Sequence, residues 1–443
     1  MKQQLHWISM HGVVRALVNI GARRGDPQAR LVADPAVRAD PVPFYNELRG
    51  RGQPLIRCRT GYLTVDHGVA HELLRSDDFR VISLGSNLPS PLRRLENRTR
   101  TPGLHPLRPP SLLAVEPPEH TRYRKTVSSV FTPRAVAALR GRVAATAEAL
   151  LDELAAKGST ETRAVDVVDR YCAQLPVAII SDILGVPDSE RAKILEFGEL
   201  AAPSLDIGLT WKQYRRVQDG LDGFNTWLAD HLERLRREPG DDLMSELIRI
   251  SDCDAHLDDD ELRAVAGLVL AAGFETTVNL LGNGIRLLMD APDQLARLQD
   301  NPALWAGAVE EILRFDSPVQ LSGRVARVDT EVAGTRVARE EMVVIYLAAA
   351  NRDPAVFEHP DRFDIERSNA ARHLAFSGGR HFCLGAALAR AEGEVGLSSF
   401  FNRFPDARPA GPGLRRDTRV LRGWSTLPVT LGPQRLAPVS GVR

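Results

Sequence analysis

The sequence predicts a mainly α-helical protein with small β-sheets near both ends. Apolar residues recur at helical spacing through most of 119–315, as in RAVAALRGRVAATAEALLDELAAK. Two shorter segments, 54–66 and 319–348, show the alternation and β-branched residues of strands. Because no long linker divides the chain, we expect one large domain over 31–443, preceded by an amphipathic extension over 1–30.

Composition narrows the class of protein. The chain has 57 Lys and Arg and 57 Asp and Glu, so no overall charge favours nucleic acid or an acidic partner. Its four cysteines (Cys58, Cys172, Cys253 and Cys383) are scattered and include no CxxC pair, which fits a reducing cytoplasm and argues against a zinc module. We expect no transmembrane segment, because no apolar run reaches the ~20 residues that a spanning helix needs.

The first residues form an amphipathic pattern. Trp7, Met10, Val14, Leu17 and Val18 fall at helical spacing. Such a helix packs on its own domain or lies on a membrane surface, and packing on the domain is favoured. The segment has neither the continuous apolar core nor the cleavage site of a signal peptide.

The remaining elements follow in order. Residues 54–66 predict a hairpin around a Thr-Gly turn, and the proline-rich segment 85–118 predicts a long, functional loop. Beyond the helical part and the strands of 319–348, a helix begins at about Cys383. Short strands around RVLRGWSTLPVTL end the pattern.

The segment LVLAAGFETTVNLLGNG predicts a buried helix, opened by the acidic stretch HLDDDELR. Ala272, Gly273, Thr276 and Thr277 lie within i, i+3 and i+4 of one another and so share a face. The Thr276 hydroxyl can donate to the carbonyl of Ala272, which loosens the helix, and Gly273 lets a ligand approach. Taken alone, this pattern is as typical of a helix packing contact.

The stretch FSGGRHFCLG places a cysteine in a glycine-rich backbone. Cys383 precedes a strong helix-forming segment, so unsatisfied backbone N–H groups lower its pKa, and Arg380 and His381 add positive charge. Gly385 lets something flat lie against the backbone. Such a thiolate serves as a nucleophile, a redox sensor or the sole protein ligand of a haem, whereas the structural alternative is a buried cysteine at a helix start.

This stretch resembles the cysteine-ligand signature of the cytochrome P450 superfamily. Six positions fill every fixed place of the pattern: Phe376, Ser377, Gly379, His381, Cys383 and Gly385. The amino-acid sequence of the whole chain resembles the soluble bacterial, actinobacterial branch, and within it the mycobacterial P450 family 140. The resemblance implies the cytochrome P450 fold, with a long central helix over the haem and a cysteine-ligand loop.

The resemblance also implies a cofactor, haem b, with O2 as co-substrate. Cys383 would bind the iron, and Glu275 and Thr276 would be the catalytic acid–alcohol pair, with Glu in place of the more usual Asp. The implied cofactor-binding residues are His120, Arg124, Ala272, Gly273, Arg324, Phe376, His381 and Gly385.

A structural ion network is implied as well. Glu311 and Arg314 in AVEEILRF match the family's Glu-x-x-Arg, and Arg362 in HPDRFD matches the arginine that closes the network. Without the resemblance, the first two would be interpreted as a solvated surface pair.

The implied activity is that of a monooxygenase, which inserts one oxygen atom of O2 into a mainly apolar lipid, sterol, terpenoid or polyketide. The substrate pocket is expected at Val319, Gln320, Leu321 and Ser322, with the 85–115 loop, the 198–212 segment and Trp424. The alternatives are a haem-thiolate enzyme that does not activate O2, such as a peroxygenase or isomerase, and a haem-binding sensor. Neither needs the Glu275–Thr276 pair.

Electrons must come from outside, so the resemblance implies a ferredoxin and an NAD(P)H-dependent ferredoxin reductase as partners of a cytoplasmic monomer. The expected docking patch on the cysteine side comprises Arg122, Lys125, Arg372, Arg380 and Arg390.

Overall fold

The computed structural model describes residues 2–85, 90–100, 103–130, 133–157, 164–254 and 257–435. The helices are α1 Lys2–Trp7, α2 Val13–Arg23, α3 Pro27–Ala33, α4 Pro35–Ala39, α5 Val42–Arg49, α6 His67–Arg75, α7 Ser90–Thr99, α8 Glu119–Val130, α9 Pro133–Lys157, α10 Gln174–Ile183, α11 Arg191–Ala201, α12 Trp211–Arg237, α13 Leu243–Asp254, α14 Asp259–Asp290, α15 Pro292–Asp300, α16 Trp305–Phe315, α17 Leu347–Ala350 and α18 Ala386–Arg403. The strands are β1 Ile56–Cys58, β2 Gly61–Thr64, β3 Phe79–Val81, β4 Ala164–Asp166, β5 Ser322–Ala326, β6 Thr330–Val332, β7 Thr335–Val337, β8 Met342–Ile345, β9 Arg408–Pro409, β10 Leu414–Arg415, β11 Trp424–Thr426 and β12 Pro428–Thr430.

Helix α14 is the centre of the helical body. Its 32 residues are opened by a capping box, in which Asp258 accepts a hydrogen bond from the Glu261 N–H and Glu261 accepts one from the Asp258 N–H. Apolar side chains cover most of its circumference, and α10, α12, α16 and α18 pack around it. A helix that is apolar on nearly all sides is stable only inside the protein.

The main sheet has five strands in the order β1-β2-β8-β5-β3. Strands β1 and β2 form the antiparallel hairpin predicted at 54–66, and β2 then pairs in parallel with β8. Gly61 has φ 131°, and a side chain there would clash with the Met342 carbonyl. Strand β5 carries Arg324 into the interior of the protein.

The prediction of one long loop over 85–118 is wrong in part, because α7 occupies Ser90–Thr99. Proline signals a break only inside a helix, whereas Pro91 lies in the first turn, where its missing N–H has no helical partner to lose. Residues 86–89 and 101–102, which belong to the same predicted loop, lie outside the described residues.

The N-terminal segment packs on the rest of the protein, as the sequence favoured. Helices α1 and α2 are joined by a π-helical turn at Ile8–Gly12, so the segment is one rod. The Trp7 indole donates to the Leu209 carbonyl at 2.9 Å, and Arg15 donates to the Gly208 carbonyl at 3.2 Å. These bonds attach the rod to the loop before α12.

Among the described helices, α14 alone is long and apolar enough to cross a membrane by length and composition. Most of its apolar stretch is buried inside the protein, which is typical of the core helix of a soluble protein.

Candidate active site

The cysteine loop is a tight turn closed by its own backbone. The Cys383 N–H donates to the Phe376 carbonyl at 3.0 Å. Gly379 has φ 64°, and a side chain there would clash with the Leu74 carbonyl of α6, so only glycine fits this turn. Helix α18 begins at Ala386 with Gly385 at its N-cap, and a side chain at Gly385 would meet open space.

Cys383 is accessible although it lies in a recessed position. Its own surface is exposed, yet protein surrounds it on most sides. A side chain can be both accessible and surrounded by protein when it faces a recess. Burial raises the pKa of the Cys383 thiol, although the Gly385 N–H, Arg124 and Arg390 act in the opposite direction. The expected lowering of this pKa at the helix N-terminus is therefore wrong for the protein alone, because desolvation outweighs the dipole.

Helix α14 borders an open space at its middle. The Thr276 hydroxyl donates to the Ala272 carbonyl at 3.1 Å, which confirms the predicted bond, and the helix stays α-helical through this turn. Ala272 is exposed although most residues of α14 are buried. Gly273 does not face that space, since a side chain there would lie 2.8 Å from Ile180 of α10. Its small size serves helix packing on that side, and the expectation that it admits a ligand there is wrong.

Glu275 lies next to Thr276 in sequence but is buried on another side of α14. Its carboxylate lies 3.0 Å from Arg416, which follows β10. Neither carboxylate oxygen accepts a well-aligned hydrogen bond among the described residues. Burial raises the pKa of Glu275, Arg416 lowers it and Glu199 raises it further, with a net rise.

Glu392 is a residue that the sequence reasoning missed. It lies on α18, is fully buried and hydrogen-bonds to Thr277 of α14. Burial raises the pKa of Glu392 to about 8. A glutamate between small residues in ARAEGEVGL was the available signal, since the glycines let α18 approach α14 closely: a side chain at Gly393 would lie 3.0 Å from Leu280.

Three bases converge at Glu116, and two of them, the buried His120 and Arg324, have a nitrogen atom without a hydrogen-bond partner among the described residues. The rings of His120 and His381 have centroids 4.3 Å apart; His120 Nε2 lacks a partner among the described residues, whereas His381 Nε2 lies 3.6 Å from the Glu116 carboxylate. Arg324 donates to the Ser322 hydroxyl and the Gly323 carbonyl through Nη1, while Nη2 lacks a partner in the same part of the chain. Buried donors are almost always satisfied, so these atoms indicate an acceptor that belongs here.

Burial is the largest cause of the pKa shifts of His120, Arg324 and Arg124. It lowers the pKa of His120 to about 4 and that of Arg324 to about 10. Arg124, half-buried, also has a lowered pKa because of burial, and the nearby Cys383 acts against that shift. An anion placed among these groups would favour their charged forms.

Glu116 also lies in this group, and the sequence reasoning missed it. It accepts hydrogen bonds from the Val81 N–H at 2.6 Å and from Arg380 at 3.1 Å. Burial raises the pKa of Glu116, but His381, the Val81 N–H and Arg324 outweigh it, so the net shift is downward. The residue fixes the bases from one side, and its position in AVEPPEH, before the predicted helix of His120, was the available signal.

The ion network is real, but one predicted member is wrong. Glu311 and Arg314 are fully buried and joined by two hydrogen bonds of 2.6 and 2.8 Å. The third base is Arg367, whose Nε lies 3.2 Å from the Glu311 carboxylate. The side chain of Arg362 is exposed, and only its carbonyl takes part, as an acceptor from Arg314 and Arg367.

The strand proposed for the substrate pocket is partly occupied by structural bonds. Gln320 is buried and donates to the Ser317 carbonyl at 2.6 Å, so its amide is not directed at a ligand. Ser322 accepts from Arg324. Val319 and Leu321 are half-buried apolar side chains, and these two remain as pocket candidates.

The other predicted pocket segments contact α14. Gly198 of α11 packs directly against Phe274, which brings the 198–212 segment over the helix. Trp424 lies further along, 3.4 Å from the side-chain position of Gly282, with Arg415 stacked on its ring.

Some of the predicted docking bases are already paired with acidic side chains, and others are exposed. Arg122 is paired with Glu261, Arg380 with Glu116 and Asp77, and Arg390 with Glu310. Lys125 and Arg372 are exposed. The patch is therefore less basic than the sequence suggested.

The site fits a flat prosthetic group with acidic substituents. One accessible cysteine lies on the loop, open space lies at Gly385 and Ala272, His381 lies beside His120, and His120 and Arg324 each have a nitrogen without a hydrogen-bond partner in the part of the chain that the structure describes. A haem needs one axial protein ligand and cationic partners for its propionates, and these residues supply both.

Comparison with known proteins agrees with this chemistry. The sequence matches the cytochrome P450 family over residues 94–303 and 303–409. The chain belongs to the cytochrome P450 family, whose members use haem b and O2 as monooxygenases.

Among curated proteins, the chain is 69% identical to cytochrome P450 140 of Mycobacterium tuberculosis over 98% of this chain and 99% of that protein. It is 41% identical to the 6-deoxyerythronolide B hydroxylase of Saccharopolyspora erythraea over 71% of this chain and 76% of the relative. Among solved structures, ligand-free CYP164A2 of Mycobacterium smegmatis is similar with a TM-score of 0.81 and 33% identity, covering 91% of this chain and 99% of that one.

Proposed function

We propose that Cys383 is the axial thiolate ligand of haem b in a monooxygenase. The observation that carries this assignment is an accessible cysteine on a glycine turn, together with nitrogen atoms of the buried His120 and Arg324 that lack a partner among the described residues. The haem, when bound, supplies the activation of O2, and the protein supplies ligation, orientation and control of protons. A positive metal centre would also reverse the raised pKa of the thiol, since metal coordination deprotonates it.

The propionates are assigned to His120, Arg124, Arg324 and His381. Charge-assisted hydrogen bonds between carboxylates and such bases are short and strong. The nitrogens of His120 and Arg324 that lack a partner among the described residues are the atoms that would donate, with His381 beside them. Phe376 and Gly385 are proposed to contact the ring from the cysteine loop, and Ala272 from α14.

Thr276 is proposed to place at the open side of α14 a hydroxyl that takes part in proton delivery. Its bond to the Ala272 carbonyl fixes the hydroxyl oxygen at the open side of α14. Glu275 is proposed as the acid that resupplies protons, since burial raises its pKa and so favours its protonated form. Arg416 opposes that rise and so positions the carboxyl and tunes its proton affinity.

The substrate is proposed to be a moderately large, mainly apolar molecule of lipid, sterol, terpenoid or polyketide type. The half-buried side chains of Val319 and Leu321 support an apolar lining, and a relative is named for hydroxylating 6-deoxyerythronolide B. A cytoplasmic ferredoxin and its NAD(P)H-dependent reductase are proposed as the electron source for a monomeric enzyme. Lys125 and Arg372 are the exposed bases that would take part in docking.

The test is a screen of apolar compounds against the purified holoprotein, scored by the change in haem spin state. A compound that shifts the spectrum is then incubated with ferredoxin, reductase and NADPH under 18O2. One labelled oxygen in the product supports the proposal. Product formed only with hydrogen peroxide would establish a peroxygenase, and a rearranged product without added oxygen would establish an isomerase.

A further inference from the structure

A second surface, away from the cysteine loop, combines exposed apolar side chains with a concentration of bases. We call it the N-terminal face and define it by residues 2–24, 90–100 and 207–218. These segments are contiguous, because Trp7 bonds to Leu209, its ring packs on Trp211 at 5.8 Å, and α1 contacts α7.

The outward side of the N-terminal rod is apolar. Leu5, Ile8, Leu17 and Ile20 are 38%, 42%, 52% and 43% exposed. Ile207, at the edge of the face, is 40% exposed. These five are a majority of the nine large apolar side chains that are exposed in the described part of the chain, so the clustering is not the ordinary scatter of surface residues.

The π-helical turn explains why four residues of uneven spacing share one side. A regular α-helix advances 100° per residue, which would separate Leu5 from Leu17 by roughly 120°. The turn at Ile8–Gly12 accommodates an extra residue and rotates everything after it by roughly 100°. Leu5, Ile8, Leu17 and Ile20 then fall within an arc of roughly 80°. The opposite side carries Trp7 and Arg15, which bond to the body.

The charge of this face differs from that of the whole chain. The N-terminal face holds eleven Lys and Arg and a single acid, Glu96, in a chain with 57 of each sign. Glu96 is buried and paired with Arg108 at 2.8 Å, so it does not neutralise the surface. All eleven are exposed, and ten of them, all but the body-bonded Arg15, are available to the surface: Lys2, Arg23, Arg24, Arg93, Arg94, Arg98, Arg100, Lys212, Arg215 and Arg216.

We infer that the N-terminal face docks on an anionic membrane surface. An aliphatic stripe on a surface helix, flanked by bases, suits the boundary between headgroups and acyl chains, where the stripe is buried and the bases meet lipid phosphates. A protein partner would favour exposed aromatic anchors. The exposed large apolar residues of this face are all Leu or Ile, and Trp7 and Trp211 are half-buried against each other.

The test is sedimentation of the full-length holoprotein with vesicles. Neutral phosphatidylcholine vesicles are compared with vesicles containing roughly 30% phosphatidylglycerol, at about 0.15 M and 1 M salt. The wild type is expected to bind the anionic vesicles and to be released by high salt. The double variant Leu17→Gln/Ile20→Gln is expected to lower the partition coefficient at least about tenfold. Arg93→Gln/Arg94→Gln is expected to lower it by a similar factor on anionic vesicles only.

The matched control is Val328→Gln/Leu414→Gln, which removes two apolar side chains that are 47% and 63% exposed elsewhere on the surface. It is expected to bind like the wild type. A loss in Val328→Gln/Leu414→Gln as large as that in Leu17→Gln/Ile20→Gln, equal binding of the wild type to neutral and anionic vesicles, or no binding to anionic vesicles would overturn the inference. Velocity sedimentation without lipid tests whether a second copy of the chain binds this face instead. A wild-type dimer that Leu17→Gln/Ile20→Gln converts to a monomer would assign the face to that second copy.

Discussion

At the scale of single residues, burial decides the role of a charged side chain, and burial is hard to read from local spacing. Glu311 and Arg314 lie off the apolar stripe of α16, so the helical pattern alone places them in solvent. In the structure both are fully buried, because Arg314 also donates to the Asn351 and Pro360 carbonyls, each at 2.9 Å. Those acceptors come from distant segments, which is why only the family resemblance predicted the network.

The assignment of Arg367 rather than Arg362 as the third base of that network can be tested directly. Arg367→Ala removes a cation from the buried Glu311 carboxylate, and we expect the free energy of unfolding to fall by about 2 kcal/mol. Arg362→Ala removes an exposed side chain, and we expect a change within about 0.5 kcal/mol. Urea denaturation of the two holoproteins measures both values. A larger loss for Arg362→Ala than for Arg367→Ala would restore the original assignment.

Thr276 is the residue whose hydroxyl the proposed chemistry requires. In Thr276→Ala we expect NADPH consumption to continue while the yield of product per NADPH falls at least about tenfold, because proton delivery contributes ~10²–10⁴-fold. Thr276→Ser keeps the hydroxyl and is the matched control, with coupling close to that of the wild type. The measurement is product against NADPH, with a compound selected by its spin-state shift. Unchanged coupling in Thr276→Ala would remove this residue from proton delivery.

At the scale of elements, the spacing of apolar residues predicted those helices and strands that depend on local sequence. The hairpin of β1 and β2, the helices of 119–315 and the strands β5 to β8 follow from local pattern. Helix α7 was missed because proline density outweighed a short helical pattern, although Pro91 occupies a tolerated position. The packing of Gly273 against α10 was not predicted, because a glycine in a sequence does not indicate which neighbour it accommodates.

The N-terminal rod is held by buried histidines that the sequence did not single out. The buried His6 and His11 face Tyr214, and the half-buried His105 comes from the segment after α7. Burial lowers the pKa of His6 and of His11 to about 4, with Arg108 adding to both shifts and Arg100 and Arg419 contributing to one each. Burial likewise lowers the pKa of His105 to about 3. The attachment of the rod therefore depends on neutral imidazoles.

This arrangement predicts an acid-sensitive element. Above the ordinary histidine pKa of 6.5 the histidines are neutral in both folded and unfolded states, so the full stability is present. As the pH falls from 6.5 towards 4, the unfolded state takes up protons that the folded state excludes, and stability is lost. We expect amide hydrogen exchange of residues 2–23 to accelerate at about pH 5 relative to pH 7, after correction for the intrinsic rate, while α14 stays protected. Equal protection of the rod at both pH values would contradict this account.

At the scale of the whole molecule, the order of motifs along the chain was readable, but the contacts between them were not. The cysteine loop, the central helix and the bases of His120 and Arg324 could each be placed on an element from sequence. The ion pair of Glu275 with Arg416 joins α14 to the C-terminal strands, and Glu392 joins α18 to α14. Such pairs depend on how elements pack, and one sequence without its fold does not specify them.

The central claim is that the fold brings one thiolate to a haem. The most direct measurement is the absorption spectrum of the reduced, carbon monoxide-bound protein, for the wild type and for Cys383→Ser. The account predicts a strongly red-shifted Soret band in the wild type and its loss in the variant. Cys172→Ser, which alters a buried cysteine outside the cysteine loop, should keep the band. A wild type without haem, or with a band unchanged by Cys383→Ser, would contradict the account.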